Sequence, residues 1–79
     1  MATKSKTKAY FPVEFEREDD GRWIAEISKL PGVMAYGQTK NEARQKVYAI
    51  ALRTLADGIE QGNAPPQVTR LFDYGMARR

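Results

Sequence analysis

Between Phe11 and Glu16 apolar and polar side chains alternate. Phe11, Val13 and Phe15 fall on one parity, and Pro12, Glu14 and Glu16 on the other. A period of two marks a half-buried strand, which the pattern starts near Ala9. Pro12 has no amide proton, so its position must face away from a partner strand or sit at a bulge. Asp20-Gly21 follows, a hairpin signal because the turn needs a residue that tolerates positive φ. The second predicted strand, Arg22–Ser28, places Trp23, Ala25 and Ile27 on one face and Ile24, Glu26 and Ser28 on the other. Pro31-Gly32 then has the composition of a type II turn, and Val33–Gly37 reads as a short third strand containing Val33, Met34 and Tyr36.

From Ala43 onward the period changes. Ala43, Val47, Ile50, Ala51, Leu55 and Ile59 recur at intervals of three and four, the spacing of one helical stripe. Thr39 and Glu42 form a capping box ahead of it, with Glu42 expected to reach back to the amide of Thr39. Gly62 suits the C′ position, and Pro65-Pro66 forbids continuation, so the helix is predicted from about Lys40 to about Gln61. Gln67–Tyr74 completes the pattern as a fourth predicted strand. The order strand-strand-strand-helix-strand defines a two-layer α+β domain with an antiparallel three-stranded meander. A right-handed crossover would place strand four parallel to strand one. The predicted organisation is a basic tail over residues 1–8, one domain over 9–74, and a second basic tail over 75–79.

Composition changes this picture in three places. The 79 residues contain no cysteine and no histidine, which excludes disulfides, thiolate zinc sites and an imidazole base. A domain this small buries only about 60% of its unfolded surface, so subunit association is the expected support, as a dimer or tetramer. Exposed edge strands offer one way to associate. No apolar run is long enough for a membrane span, and no signal-peptide core precedes the domain, so the expectation is a cytoplasmic protein with no membrane role.

The net charge of +3 is unevenly spread. Lys4, Lys6 and Lys8 make the first eight residues basic, and Arg70, Arg78 and Arg79 outweigh Asp73 at the other end. The body between them carries seven basic and nine acidic side chains. A nucleic-acid-binding fold instead carries its positive charge as a patch on ordered structure. Weak nucleic-acid binding through the tails therefore stands only as an alternative.

Candidate chemistry narrows quickly. Gly32 and Gly37 have the separation of a phosphate-binding loop, yet Gln38 stands where that loop requires lysine. Turn chemistry at Pro31 and Gly32, and cap chemistry at Thr39 and Glu42, account for the same stretch. Ser28 and Lys29 are adjacent in a strand and point to opposite faces, so they make no nucleophile–base pair. Glu14, Glu16 and Glu26 share the polar sheet face, where the expected role is a charged surface. No catalytic, cofactor-binding or metal-ligating set is predicted, and the chain is expected not to be an enzyme. Tyr10, Glu14, Glu16, Ile24 and Glu26 are the candidate partner-binding residues.

In order and spacing, the segment YFPVEFEREDDGRWIAEISKLPGVMAYGQTKNEA resembles the HicB-like antitoxin family. The resemblance rests on the aromatic first strand, the acidic turn ending at Asp20-Gly21, Leu30-Pro31-Gly32, Gly37, and Thr39-x-x-Glu42-Ala43. It covers about residues 10–60. Lys29 departs from the acidic residue usual before Leu-Pro-Gly, and Val33 from the following cysteine. The resemblance implies a partial RNase H-like fold with strand order 3-2-1-4 and without the acidic catalytic set. It implies a protein that neutralises a small, basic HicA-type toxin, an mRNA-cleaving ribonuclease, by direct contact. Many relatives carry a C-terminal DNA-binding module. The residues after Pro66 resemble none, so no DNA-binding role is expected. The alternative reading is a stand-alone homo-oligomeric binding module.

Overall fold

The computed structural model describes residues 10–72; both predicted tails, Ala9, Asp73 and Tyr74 lie outside them. Three strands, β1 (Glu14–Arg17), β2 (Trp23–Glu26) and β3 (Met34–Gly37), form an antiparallel sheet in the order β1-β2-β3. A single long helix, α1 (Lys40–Gln61), covers one face, and a 3-10 helix, Pro66–Leu71, follows it. The molecule is α+β, and none of its described helices is long and apolar enough to cross a membrane.

Each strand is shorter than its periodicity suggests, because a ladder needs a partner at every step. Glu14 pairs with Glu26, and beyond Glu26 the second strand turns away: the Leu30 amide donates to the Ile27 carbonyl at 2.9 Å. Residues 11–13 therefore have no facing strand, although Phe11 and Val13 still pack on the core. The hairpin closes as predicted. The Gly21 amide donates to the Glu18 carbonyl at 2.9 Å, and Gly21 takes φ 92°. Leu30-Pro31-Gly32-Val33 forms the second turn, with Gly32 at φ 84°.

The helix bounds match those read from the cap signals. Thr39 Oγ1 accepts from the Glu42 amide at 3.0 Å. Glu42 reaches one residue further back than expected, accepting from the Gln38 amide at 2.6 Å instead of that of Thr39. At the other end Gly62 is left-handed, and the Gly62 and Asn63 amides donate to the Ile59 and Gly58 carbonyls, a Schellman arrangement.

The core is thin. Its buried members are Ala25, Ile27, Leu30, Val33, Ala35, Ala43, Val47, Ala51, Leu55 and Val68, four of them alanine. Small residues at Ala25, Ala35 and Ala43 let helix and sheet approach closely. Gly37 takes this furthest, since a Cβ there would collide with the backbone of Ala43. Phe15 and Trp23 close the core at the helix N-terminal end, with the Lys40 ammonium 4.9 Å and 5.7 Å from their ring centres.

Two expectations are overturned. The fourth strand does not form among the described residues; Gln67–Leu71 lies within the 3-10 helix instead. Pro66 supplies the helical φ at its first position, Val68 donates to the Pro65 carbonyl at 3.1 Å, and Thr69 Oγ1 donates to the Pro66 carbonyl at 2.9 Å. Val68 is the segment's one buried side chain, and a single inward residue does not need a strand's alternation. The second correction is Ile59, which leaves the buried stripe and is 52% exposed. Twelve residues beyond Val47 the helix has turned about 120° past that line.

Candidate functional site

The sheet face not covered by α1 is where the predicted residues gather. Strand alternation sends Phe15, Ala25 and Ala35 toward the helix and Glu14, Glu16, Ile24, Glu26, Met34 and Tyr36 the other way. Register then arranges that face into two rows across the strands. One is Glu14–Glu26–Met34; the other is Glu16–Ile24–Tyr36. Glu14, Glu16, Ile24 and Glu26 line a shallow depression of about 190 Å3 together with Phe15. Four of the five candidate partner-binding residues therefore share one surface. Tyr10 is exposed but lies four residues before β1 and does not line this depression.

The electrostatics of the face are lopsided. Glu14 and Glu26 are directly opposed, a placement that puts Cβ atoms about 5 Å apart and is unfavourable for like charges. Glu16 lies on the same face, two residues along β1 from Glu14. The two ion pairs among the described residues, Asp20–Arg22 and Glu42–Lys46, use none of these three carboxylates. Among the described residues no three histidine, cysteine, aspartate or glutamate side chains are grouped to hold a metal ion. The carboxylates make a charged surface.

Met34 and Tyr36 complete this face and are not among the candidate partner-binding residues. Tyr36 and Met34 are each 40% exposed, and the Arg22 guanidinium lies 4.4 Å from the Tyr36 ring centre. Arg22 is also held by Asp20, which accepts from its amide at 3.1 Å and from its Nε at 3.0 Å. The Arg22 amide, and then its guanidinium, hold the Asp20 carboxyl below its ordinary value. The hairpin turn thereby fixes an arginine over a tyrosine at one corner of the acidic face. The signal was available in the parity of Met34 and Tyr36, but pairing with Ile24 and Glu26 depends on register.

The Gly32–Gly37 stretch resolves into architecture. Gly32 is the third residue of a turn, Met34–Gly37 is a strand, and Gln38, Thr39 and Glu42 occupy the cap. Glu42 is held below the usual carboxylate range by the Gln38 amide and then by Lys46, 3.2 Å away. Trp23 is half-buried on the core side, with Arg17 5.5 Å from its ring centre.

No family model, curated protein or solved structure matches this chain.

Proposed function

We propose that this protein is a HicB-like, antitoxin-type binding module that neutralises a small, basic, HicA-type mRNA-cleaving toxin through the open sheet face. The observation that carries this reading is the opposition of Glu14 and Glu26, with Glu16 on the same face and no cation paired to any of them among the described residues. Such an arrangement costs the free domain stability and is relieved when a cationic surface covers it. Ile24, Met34 and Tyr36 supply apolar contact beside the charges. Tyr in particular offers a large ring and a polar tip, the combination enriched at interfaces.

The order meander-then-helix from Glu14 to Gln61 supports the partial RNase H-like arrangement that the sequence resemblance implies. That family's fourth strand is not among the described residues. On this reading the domain breaks no bonds itself; it blocks access to a nuclease.

The test uses the purified chain and a purified HicA-type ribonuclease. Glu14→Lys should raise the free domain's stability by about 0.2–1 kcal/mol, because a repulsive cross-strand pair becomes attractive. The same substitution should weaken toxin binding at least about tenfold and release mRNA cleavage, with wild-type association slowing as salt rises. Undiminished cleavage in the presence of excess wild-type domain would reject the proposal.

A further inference from the structure

One cation sits on the acidic face, and it forgoes the partner nearest to it. Edge strand β1 carries Glu14 and Glu16 there, and Glu18 continues the alternation into the hairpin. The Glu18 amide donates to the Arg22 carbonyl at 2.7 Å, which sets Arg22 across the hairpin from Glu18. Opposite charges so placed are a stabilising cross-strand pair. Arg22 makes no ion pair with Glu18; its ion pair among the described residues is with Asp20. Its guanidinium lies instead toward β3, over the Tyr36 ring.

Two sides of that guanidinium are occupied. Tyr36 lies beneath it, 4.4 Å from ring centre to the guanidinium carbon. Its Nε donates to one oxygen of Asp20 while its own backbone amide donates to the other, so a single carboxylate ties the side chain to the hairpin turn. Nη1 and Nη2 have no acceptor among the described residues, and the side chain is 44% exposed. Those two nitrogens carry four of the five N–H donors of the planar fork. A fork already fixed on a ring and a turn has less freedom to lose when an acceptor arrives.

We infer that Arg22 orients the partner on the acidic face: its Nη fork takes a carboxylate of that partner, while Glu14, Glu16 and Glu26 take its cations. This rests on the binding role proposed above and names what the partner surface carries, a predominantly basic patch with one Asp or Glu at the end that meets the hairpin. Register places Tyr36 beside Ile24 in the middle row of the face, so a partner that covers those two side chains covers Arg22 as well. A uniformly basic surface would there press cations against a fixed guanidinium, which disfavours the contact. A carboxylate at that point removes the conflict and accepts two parallel hydrogen bonds from the fork. Carboxylates alone attract a basic surface in many orientations. One charge of opposite sign at a corner admits the orientation that pairs it and penalises those that leave it unpaired. Arg22 therefore supplies specificity, and the three glutamates supply attraction.

Binding kinetics with a purified HicA-type ribonuclease test this, because charge attraction alone predicts the opposite sign. Removing a positive charge from an acidic face tightens binding to a basic partner if attraction is all that acts. Arg22→Gln should instead raise the dissociation constant at least about tenfold, through faster dissociation, while the association rate holds or rises. Arg22→Lys keeps the charge without the fork, and its loss should match that of Arg22→Gln to within about threefold. Circular dichroism of both variants should match the wild type, since the side chain is exposed. The Arg22 Nη protons, which exchange freely in the isolated domain, should give sharp NMR signals in the complex. Wild-type binding that Arg22→Gln leaves equal or tighter overturns this inference alone. So does wild-type affinity in Arg22→Lys, or Nη signals that stay broadened in the complex. A wild type that does not bind the ribonuclease rejects the binding role, and this inference with it.

Discussion

At the scale of single residues, backbone amides set the acidic side of this protein's chemistry. Asp20 and Glu42 both have folded-state pKa values below their ordinary 3.8 and 4.5. A lowered value means that each contributes stability above the ordinary pKa and loses it as pH falls through the folded one. Melting temperature should therefore hold from neutral pH to about pH 5 and decline below it. Glu42→Gln should lower the neutral-pH value and flatten that decline, which thermal denaturation across the range would show. The glycines divide just as sharply. Gly37→Ala drives a methyl into the Ala43 backbone and should destabilise by about 1–3 kcal/mol. A Cβ on helical Gly58 meets Ala64 Cα at an ordinary 3.4 Å, so Gly58→Ala should stabilise by about 0.5–1 kcal/mol. Urea denaturation of the two variants checks both signs.

At the scale of elements, the helix outruns the sheet. Twenty-two residues extend about 33 Å, whereas a four-residue strand covers about 13 Å. The Leu30-Pro31 turn fills part of the difference, lining a crevice with Thr54, Leu55 and Gly58. Val68 of the 3-10 helix adds one more buried side chain. The apolar line advances about 40° around the helix every four residues, which is why Ile59 turns outward where Leu55 is still buried. Leu55→Ala should cost about 2–4 kcal/mol, while Leu52→Ala should leave the unfolding free energy of the isolated subunit within about 0.5 kcal/mol. Chemical denaturation of the two variants separates them. Equal losses would mean that the helix is rotated from the orientation described.

At the scale of the whole molecule, two surfaces divide between two layers: carboxylates on the open sheet face and an apolar stripe on the helix. On the proposed reading only the sheet layer meets the toxin, so Glu14→Lys should weaken toxin binding at least about tenfold, whereas Leu52→Glu on the exposed helix surface should leave it within about threefold of wild type. Titration calorimetry on the two variants would show it, and equal losses would mean that the contact surface is not confined to the sheet.

Much of this was legible along the chain. Thr39, Glu42 and Gly62 fix the ends of α1, because cap chemistry is local, and the glycines of both tight turns can be read for the same reason. Alternation alone placed Glu14, Glu16, Ile24 and Glu26 on one face. The fate of Gln67–Leu71 was not legible: its apolar spacing fits a strand, but strand formation needs a partner edge, and the prolines made a local 3-10 helix sufficient. Nor could a period of three and four show that Ile59 lies beyond the sheet's reach. Local hydrogen bonding determines where these elements start and stop, and one residue's own neighbours can encode that. Which side chains meet across strands, and which are left outside, depends on register and on how far each layer extends; only the assembled fold decides it.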